Sequence, residues 1–575
     1  MKERGWDECD FIFVSGDAYV DHPSFAAALI CRVLEAEGFR VGIIPQPAWQ
    51  NLSNETSSPF AALGRPHLAF LAGAGNLDSM VAHYTSAKKP RSDDAYSPGG
   101  RAGLRPDRAL LRYVEGIRRT HKNIPVIIGG IEAGLRRFAH YDYWSNTVRR
   151  SILLDSKADI LVYGMGERAI TEIAHRLASG ETIDKIQDVR GTCFRANVCP
   201  ADAMELPAYE TVKGQDEKSL KAYAEHFMIQ KRNADPLSGR VLAEENDGGQ
   251  KTGESKTPGR WVIQNPPAFP LESAALDRIY ELPYTRRSHP VYDESGGIPA
   301  LQEVRFSLVS SRGCFGGCSF CAITFHQGRA VQSRSRDSLV REAKSLAKSP
   351  DFKGYIHDVG GPTANFYGSV CKRQEKGGFC ADKECFLVNG GKPCPRLEAN
   401  HKPFLETLAA LRNADAKIKK VFIRSGIRFD FIEMDCSHGE EFLETLCRYH
   451  VSGQLKVAPE HISKKVLAAM GKTGDYESFR KRFFEVNKRL GLRQYLIPYF
   501  ISGHPGCTME EAEELARYLK KTGFVPDQSQ DFYPTPGSLS TVMYHTGLDP
   551  RNGEKIHIPG EREKRLQRAM LKTNH

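Results

Sequence analysis

Short apolar runs alternate with amphipathic stretches through the first 180 residues. Phe11-Ile12-Phe13-Val14 stops at Ser15-Gly16, a helix-period stretch runs from Phe25 to Gly38, and Val41-Gly42-Ile43-Ile44 follows. Next come His67 to Gly73, a helix from about Asp107 to His121, Val126 to Gly130, Ile160 to Gly164, and a helix near Arg168 to Ala178. Short apolar runs followed by glycine predict strands, and their alternation with helices predicts a doubly wound α/β domain of the Rossmann or flavodoxin kind over 1–199. Glycines close most of the runs, as expected where strands end at a ligand-facing crevice.

From 200 to 296 the alternation fades. Glu244 to Ser255 is polar and glycine-rich, with too few apolar residues to bury, and predicts an exposed loop near 244–258 inside a linker or extension. The alternation returns from Pro299. Val304 to Val309, Tyr355 to Val359, Val421 to Gly426, Leu455 to Ala458, Tyr495 to Ile501 and Gln528 to Tyr533 read as strands separated by helix-length segments, the first of these helices near Asp337 to Ala347. Repeated right-handed β-α units make a parallel barrel or partial barrel, placed here at 297–540, with a basic tail at 541–575.

A chain of 575 residues is too long for one core and implies two or three domains. It contains no apolar run long enough to span a membrane, and its charged start has no signal-peptide core, so a cytoplasmic protein is expected. The net charge of +10 is compatible with an RNA partner. However, the basic tracts at Arg480-Lys481-Arg482 and Arg551 to Lys572 also carry glutamates, and no aromatic-basic platform stands out. A solvated surface accounts for most of the charge.

The cysteines change the picture. Seven of the fourteen fall between Cys314 and Cys394, and such clustering argues for metal ligation over disulfides. Cys314, Cys318 and Cys321 form C-x3-C-x2-C within Ser310 to Cys321. Thiolates suit iron and sulfide, and three of them on one loop leave a 4Fe-4S cluster one protein ligand short, so one iron is open to a small molecule. Gly313, Gly316 and Gly317 let the backbone wrap closely. Cys371, Cys380, Cys385 and Cys394 form a second group in a segment with no helix or strand pattern. Zinc or an auxiliary iron-sulfur cluster would staple it, and reduced, inert thiols are the other reading.

The cysteine spacing is that of the radical SAM superfamily, and Gly297 to Arg329 resembles the YgiQ family within it. So do Gly16 to Phe25, Gln264-Asn265-Pro266-Pro267-Ala268 and Asp531 to Gly537. The resemblance covers nearly the whole chain. It narrows the barrel to a partial (β/α)6 form and implies S-adenosylmethionine on the open iron. It also implies an external one-electron donor such as flavodoxin or ferredoxin. By the same resemblance Phe320 would lie against the adenine, and Gly360 and Gly361 would bind the amino group through their backbone, although Pro362-Thr363 follows where an acid is usual. From their places at strand ends, Ser425, with Arg424 and Arg428 nearby, would meet the ribose or carboxylate, and Glu460 would bind cofactor or substrate.

The N-terminal domain resembles cobalamin-binding domains, but Asp21-His22-Pro23 lacks the Asp-x-His-x-x-Gly arrangement that ligates cobalt, which weighs against cobalamin. The expected activity is reductive cleavage of S-adenosylmethionine to a 5′-deoxyadenosyl radical acting on an unidentified substrate. Two alternatives stand beside it: cobalamin-dependent or RNA-directed methylation or methylthiolation, and a non-catalytic iron-sulfur redox sensor.

Overall fold

The computed structural model describes residues 1–50, 58–246, 251–252, 255–256, 260–381, 384–387, 393–524 and 530–572. The chain divides into two compact units, 1–269 with 279–305, and 270–278 with 306–575.

The first unit is built on one sheet. Its strands are β1 (Phe11–Ser15), β2 (Val41–Pro45), β3 (Ala69–Gly73), β4 (Val126–Gly129), β5 (Ile160–Val162), β6 (Thr192–Ala196), β7 (Met204–Glu205), β8 (Leu242–Asn246) and β9 (Arg260–Gln264). They lie in the order β2-β1-β3-β4-β5-β6-β9-β8-β7. The first five are mutually parallel, and their order is that of a flavodoxin-like doubly wound sheet. The alternation read from the sequence explains the two layers. Ile12, Val14, Phe70, Ala72, Val126 and Ile128 face a core shared with Leu110, Tyr113, Val114 and Ile117 of helix Ala109–Thr120. Phe11, Phe13, Ala69, Leu71 and Ile127 face the opposite core, with Leu34 of helix Ala26–Ala36 and Ile170, Ile173 and Leu177 of helix Glu167–Ala178. Successive strand residues point to opposite faces, so a continuous apolar run is what a sheet covered on both sides requires.

The stretch expected as a linker is partly sheet. Strands β7, β8 and β9 extend the sheet beyond β6, with β9 antiparallel to both β6 and β8. Glu244, which the polar run placed in an exposed loop, is wholly buried in β8. Its carboxylate accepts from Ala139 N at 2.8 Å and lies 2.6 Å from His226 Nε2. Two paired donors make that burial tolerable for a charged side chain. Of the remaining predicted loop, 245–246 continue β8, 251–252 pair antiparallel with 255–256, and 247–250, 253–254 and 257–258 lie outside the described residues.

The second unit holds six parallel strand positions in sequence order: β10 (Ser307–Val309), β11 and β12 (Tyr355–Ile356 and Asp358–Gly360, one interrupted strand), β13 (Lys420–Val421), β14 (Gln454–Glu460), β15 (Tyr495–Ser502) and β16 (Gln530–Asp531). Each neighbouring pair is parallel, and a single bridge from Ile427 to Val457 joins the third position to the fourth. This is the partial (β/α)6 barrel. Leu308, Ile356, Val359, Val421, Leu455, Val457 and Leu496 form one core with Leu339, Phe404, Leu408, Phe479, Phe483 and Leu515 from the surrounding helices. Val304, expected in the first strand, ends helix Pro299–Val304 instead, a helix opened by Pro at its first turn. The basic tail is also structured. In helix Glu561–Lys572, Leu571 is buried against the barrel core, and Gln567 accepts from Gly503 N at 2.9 Å and donates to Cys507 O at 3.0 Å.

No helix among the described residues is long and apolar enough to cross a membrane.

Candidate cluster and cofactor site

Cys314, Cys318 and Cys321 leave the barrel on the loop after β10, closed behind by a short pairing of Ser311–Arg312 with Gln332–Ser333. Glycine permits the wrap. Gly313 has φ +78°, and a Cβ there would lie 2.8 Å from the carbonyl carbon of Ala330; a Cβ on Gly316 would lie 3.0 Å from Cys314 Sγ. The Gly316 amide donates to Cys314 Sγ at 3.3 Å. Burial, reinforced by the neighbouring thiols, pushes Cys321 up to about 12, and burial likewise raises Cys318. Burial thus favours the protonated form of these two thiols, and bound iron would displace their protons.

Arg428 stands against this loop. Its Nη1 lies 3.6 Å from Cys318 Sγ, its Nε and Nη2 donate to Asp430 at 2.9 and 2.5 Å, and its guanidinium covers the Phe386 ring at 4.0 Å. A second cation comes from Gly471-Lys472. Ser319 N donates to Met470 O at 2.8 Å, and Lys472 Nζ donates to Ala458 O while lying 3.4 Å from Glu460 Oε1. The Cys318 thiol responds to Arg428, Lys472 and Glu460 together. Two cations, a backbone donor and three thiols suit an anionic cluster, so the residues fit a 4Fe-4S group bound by Cys314, Cys318 and Cys321.

The other predicted residues divide. Glu460 ends β14 with φ +67°, a left-handed conformation that costs about 1–3 kcal/mol in a residue other than glycine and turns its carboxylate toward Lys472. Gly360 ends β12, where a Cβ would lie 2.5 Å from that of Ser425. The Ser425 hydroxyl donates to Asp358, whose other oxygen accepts from Arg424 N at 2.7 Å and Ser425 N at 3.0 Å. Gly360, Ser425 and Asp358 are thus one cluster, of which the sequence pattern pointed only to Gly360 and Ser425. The Gly360 carbonyl accepts from Ser310 N at 2.7 Å. Gly361 faces Ser311, whose carbonyl oxygen would lie 2.6 Å from an added Cβ. Phe320 packs edge-on against His504 at 6.2 Å, an apolar contact within its own unit. Lys472 and Asp430 were missed. Neither sits in a spacing pattern, and only the turn of the chain brings them to the thiols.

The second cysteine group is placed beside this loop. Cys371 is buried with Phe366, Phe386 and Phe431, and Cys385 and Cys394 pack against the same cluster. Arg329 donates to Cys380 O at 2.9 Å and lies 3.5 Å from Cys385 Sγ. Among the described residues no group of three or more His, Cys, Asp or Glu side chains is arranged to hold a single metal ion. A cubane spreads its thiolates over separate irons, so this arrangement bears on zinc in the second group and not on the first. Residues 382–383 and 388–392 of the insert lie outside the described residues.

In the N-terminal unit both ring nitrogens of His22 are engaged. Nδ1 accepts from Ser24 N at 3.1 Å, and Nε2 lies 3.0 Å from Arg286 Nη1. His22 is therefore held by hydrogen bonds within its own unit.

Comparison with known proteins agrees with this layout. Residues 1–307 match the family described as Radical SAM N-terminal, 308–519 the Radical SAM superfamily, and 527–575 a domain of unknown function, DUF3362. A UPF0313 protein of Clostridium botulinum (strain ATCC 19397 / Type A) is 52% identical over 576 aligned residues, covering 99% of this chain and 85% of that protein. A UPF0313 protein of Clostridium perfringens (strain 13 / Type A) is 50% identical, covering 99% of this chain and 83% of its own length. Among solved structures, the radical S-adenosylmethionine methyltransferase TsrM from Kitasatospora setae, with cobalamin and 4Fe-4S cluster bound, is 16% identical. It superimposes with a TM-score of 0.50 over 92% of this chain and 77% of its own. That likeness is one of fold.

Proposed function

Because this chain is a radical SAM enzyme of the UPF0313 family, we propose that it cleaves S-adenosylmethionine reductively at a 4Fe-4S cluster held by Cys314, Cys318 and Cys321. The observation that carries the proposal is the convergence of three thiols, Arg428, Lys472 and Glu460 on one glycine-cradled loop at the carboxyl end of the barrel. Held by Cys314, Cys318 and Cys321, such a cluster would supply the one electron needed to break the carbon-sulfur bond of S-adenosylmethionine into methionine and a 5′-deoxyadenosyl radical.

The chain's own residues orient and enclose. The Gly316 amide and Arg428 hold Cys314 and Cys318 in place. Gly360 keeps the end of β12 free of side chain, and Asp358 fixes the Ser425 hydroxyl at the next strand end, where it serves the ribose or carboxylate. Glu460, held against Lys472, is placed to bind cofactor or substrate, and Phe320 is assigned to the adenine. The electron comes from an external donor such as flavodoxin or ferredoxin.

The test is anaerobic. The cluster is reconstituted and reduced, S-adenosylmethionine is added, and 5′-deoxyadenosine is quantified. The wild-type chain is expected to produce it and Cys318→Ala to lose both the iron chromophore and the product. Undiminished cleavage by Cys318→Ala would refute the assignment. S-adenosylhomocysteine in place of 5′-deoxyadenosine would transfer the reading to methylation, and an intact, redox-active cluster with neither product would favour a sensor.

A further inference from the structure

The first unit carries a second concave site that the cofactor chemistry does not use. A cavity of about 1180 Å³ opens along helix Ala109–Thr120; eight of its lining residues are Arg or Lys and three are Asp or Glu. Three of the cations are paired behind the wall, Arg105 with Asp17 and Asp94, Arg108 with Asp142 and Arg118 with Asp159, but elsewhere on the wall carboxylates are shared. Glu115 is shared by Arg112 at 3.0 Å and Arg119 at 2.5 Å, and Asp155 by Arg149 at 3.1 Å and Arg150 at 2.5 Å. Glu115 between Arg112 and Arg119 leaves a net positive charge and N–H donors that it does not take on both forks. Arg112 and Arg119 are more than half exposed, so those donors are available.

A second feature points to a ligand. Trp49 Nε1 and His83 Nε2, both on the cavity wall, are buried atoms with no hydrogen-bond partner. The opposite nitrogen of His83 lies 2.7 Å from Asp107, which also accepts from Tyr84 at 2.8 Å. The indole N–H of Trp49 can only donate. A buried donor without a partner is costly unless an acceptor arrives.

We propose that this cavity binds successive phosphate groups, either those of a free polyphosphate or those of a single-stranded RNA. Guanidinium forks match phosphate oxygens, and the cavity exceeds the few hundred cubic ångströms that a lone small anion fills. The proposal rests on this unit's own geometry and stands whether or not the cofactor reading holds.

The experiment uses the full chain and a fluorescein-labelled single-stranded RNA of about twelve nucleotides, read by anisotropy from about 50 to 200 mM salt, with inorganic triphosphate as competitor. Binding that engages four phosphates should weaken roughly fiftyfold over that range. Arg112→Gln with Arg119→Gln removes two cations and leaves Glu115 uncompensated. This double variant should weaken binding more than about tenfold and halve the salt slope, with an unchanged far-ultraviolet spectrum. Arg480→Gln, which removes an Arg paired with Glu477 in the other unit, should leave binding unchanged. Displacement of RNA by triphosphate at equal phosphate concentration identifies a free polyphosphate as the ligand, and RNA retained against it identifies the strand. No salt-dependent binding of either probe, or equal weakening by Arg480→Gln, overturns the proposal.

Discussion

At the carboxyl ends of β1 and β3 the N-terminal sheet is filled by its own charged side chains, whereas at the corresponding ends of β10, β13 and β14 the barrel gathers thiols, a hydroxyl and a carboxylate. Both places are where parallel α/β folds gather ligands, and the β1/β3 junction is the switch point of a flavodoxin-like order. In the sheet, Gly16 N donates to Gly73 O at 2.9 Å, and Arg105, fully buried, bridges Asp17 and Asp94 at 3.0 Å each. Gly75 admits this triad, since a Cβ there would lie 2.5 Å from Asp17 Cγ and 2.9 Å from Arg105 Nη1. In the barrel, Gly316 and Gly360 lie against Cys314 Sγ and Ser425, side chains with chemistry to offer. Glycine at a strand end thus has two uses. It lets the chain seal a crevice with its own charged groups, or it leaves space beside reactive ones.

The comparison breaks most directly at Gly16. A valine there would drive its Cβ into the Ala74 carbonyl, whose carbon is 2.6 Å from the ideal position. A backbone group cannot swing aside as a side chain does, so we expect Gly16→Val to cost about 3 kcal/mol or more, enough to lower the melting temperature by several degrees or prevent folding. Gly426 of the barrel, whose added Cβ would meet nothing within 4 Å, is the control, and Gly426→Ala should melt with the wild type. Equal melting of the two variants would mean that the switch point is open after all.

Acid should separate the units further. In the barrel, burial lowers His450, His461 and His545 to about 4 and His504 to about 3. In the first unit it lowers His140 to about 4 and His22 well below its usual value. Folded-state values below the unfolded value of about 6.5 mean that the unfolded chain binds protons first. Their contribution is therefore fully present above pH 6.5 and is lost as pH falls toward 4, at most about 1.4 kcal/mol per histidine per pH unit. With four such histidines against two, barrel peptides should lose hydrogen-exchange protection before sheet peptides between about pH 6.5 and 5. Earlier opening of the sheet would show that carboxylates, not these histidines, govern its acid response.

Much of this layout was legible because it rests on periodicity and spacing. The runs at Phe11–Ser15 and Ala69–Gly73 gave both their strand character and, through alternation, their two covered faces. The C-x3-C-x2-C spacing placed three thiols on one loop, and strand-end position drew attention to Gly360, Ser425 and Glu460. Where charge is buried by pairing, pattern reading failed. Glu244 looks like loop until Ala139 N and His226 are seen to satisfy it. Asp358 escaped notice as a side chain because its partners lie some sixty residues onward. Lys472 reaches the cluster loop only through the turn at Gly471, whose φ of +70° lets it pass close to Gly317.

The finest comparison lies within the cluster loop, between a sulfur facing a backbone amide and one facing an arginine. Reducing an iron-sulfur cluster adds negative charge, so a nearby cation favours the reduced form and raises the potential. Arg428→Gln should therefore lower the midpoint potential of the reconstituted protein. A difference of about 1.4 kcal/mol between the two redox states corresponds to roughly 60 mV for one electron. The observed shift should fall below that figure, because Asp430 already takes two of the guanidinium donors and cancels part of its charge. Asp430→Asn tests the same balance from the other side. Removing the counter-charge leaves Arg428 more strongly positive toward Cys318, so the potential should rise. Midpoints from redox titration followed by electron paramagnetic resonance check both signs without any turnover measurement, and shifts of the same sign in the two variants would mean that Arg428 shapes the loop without tuning its cluster.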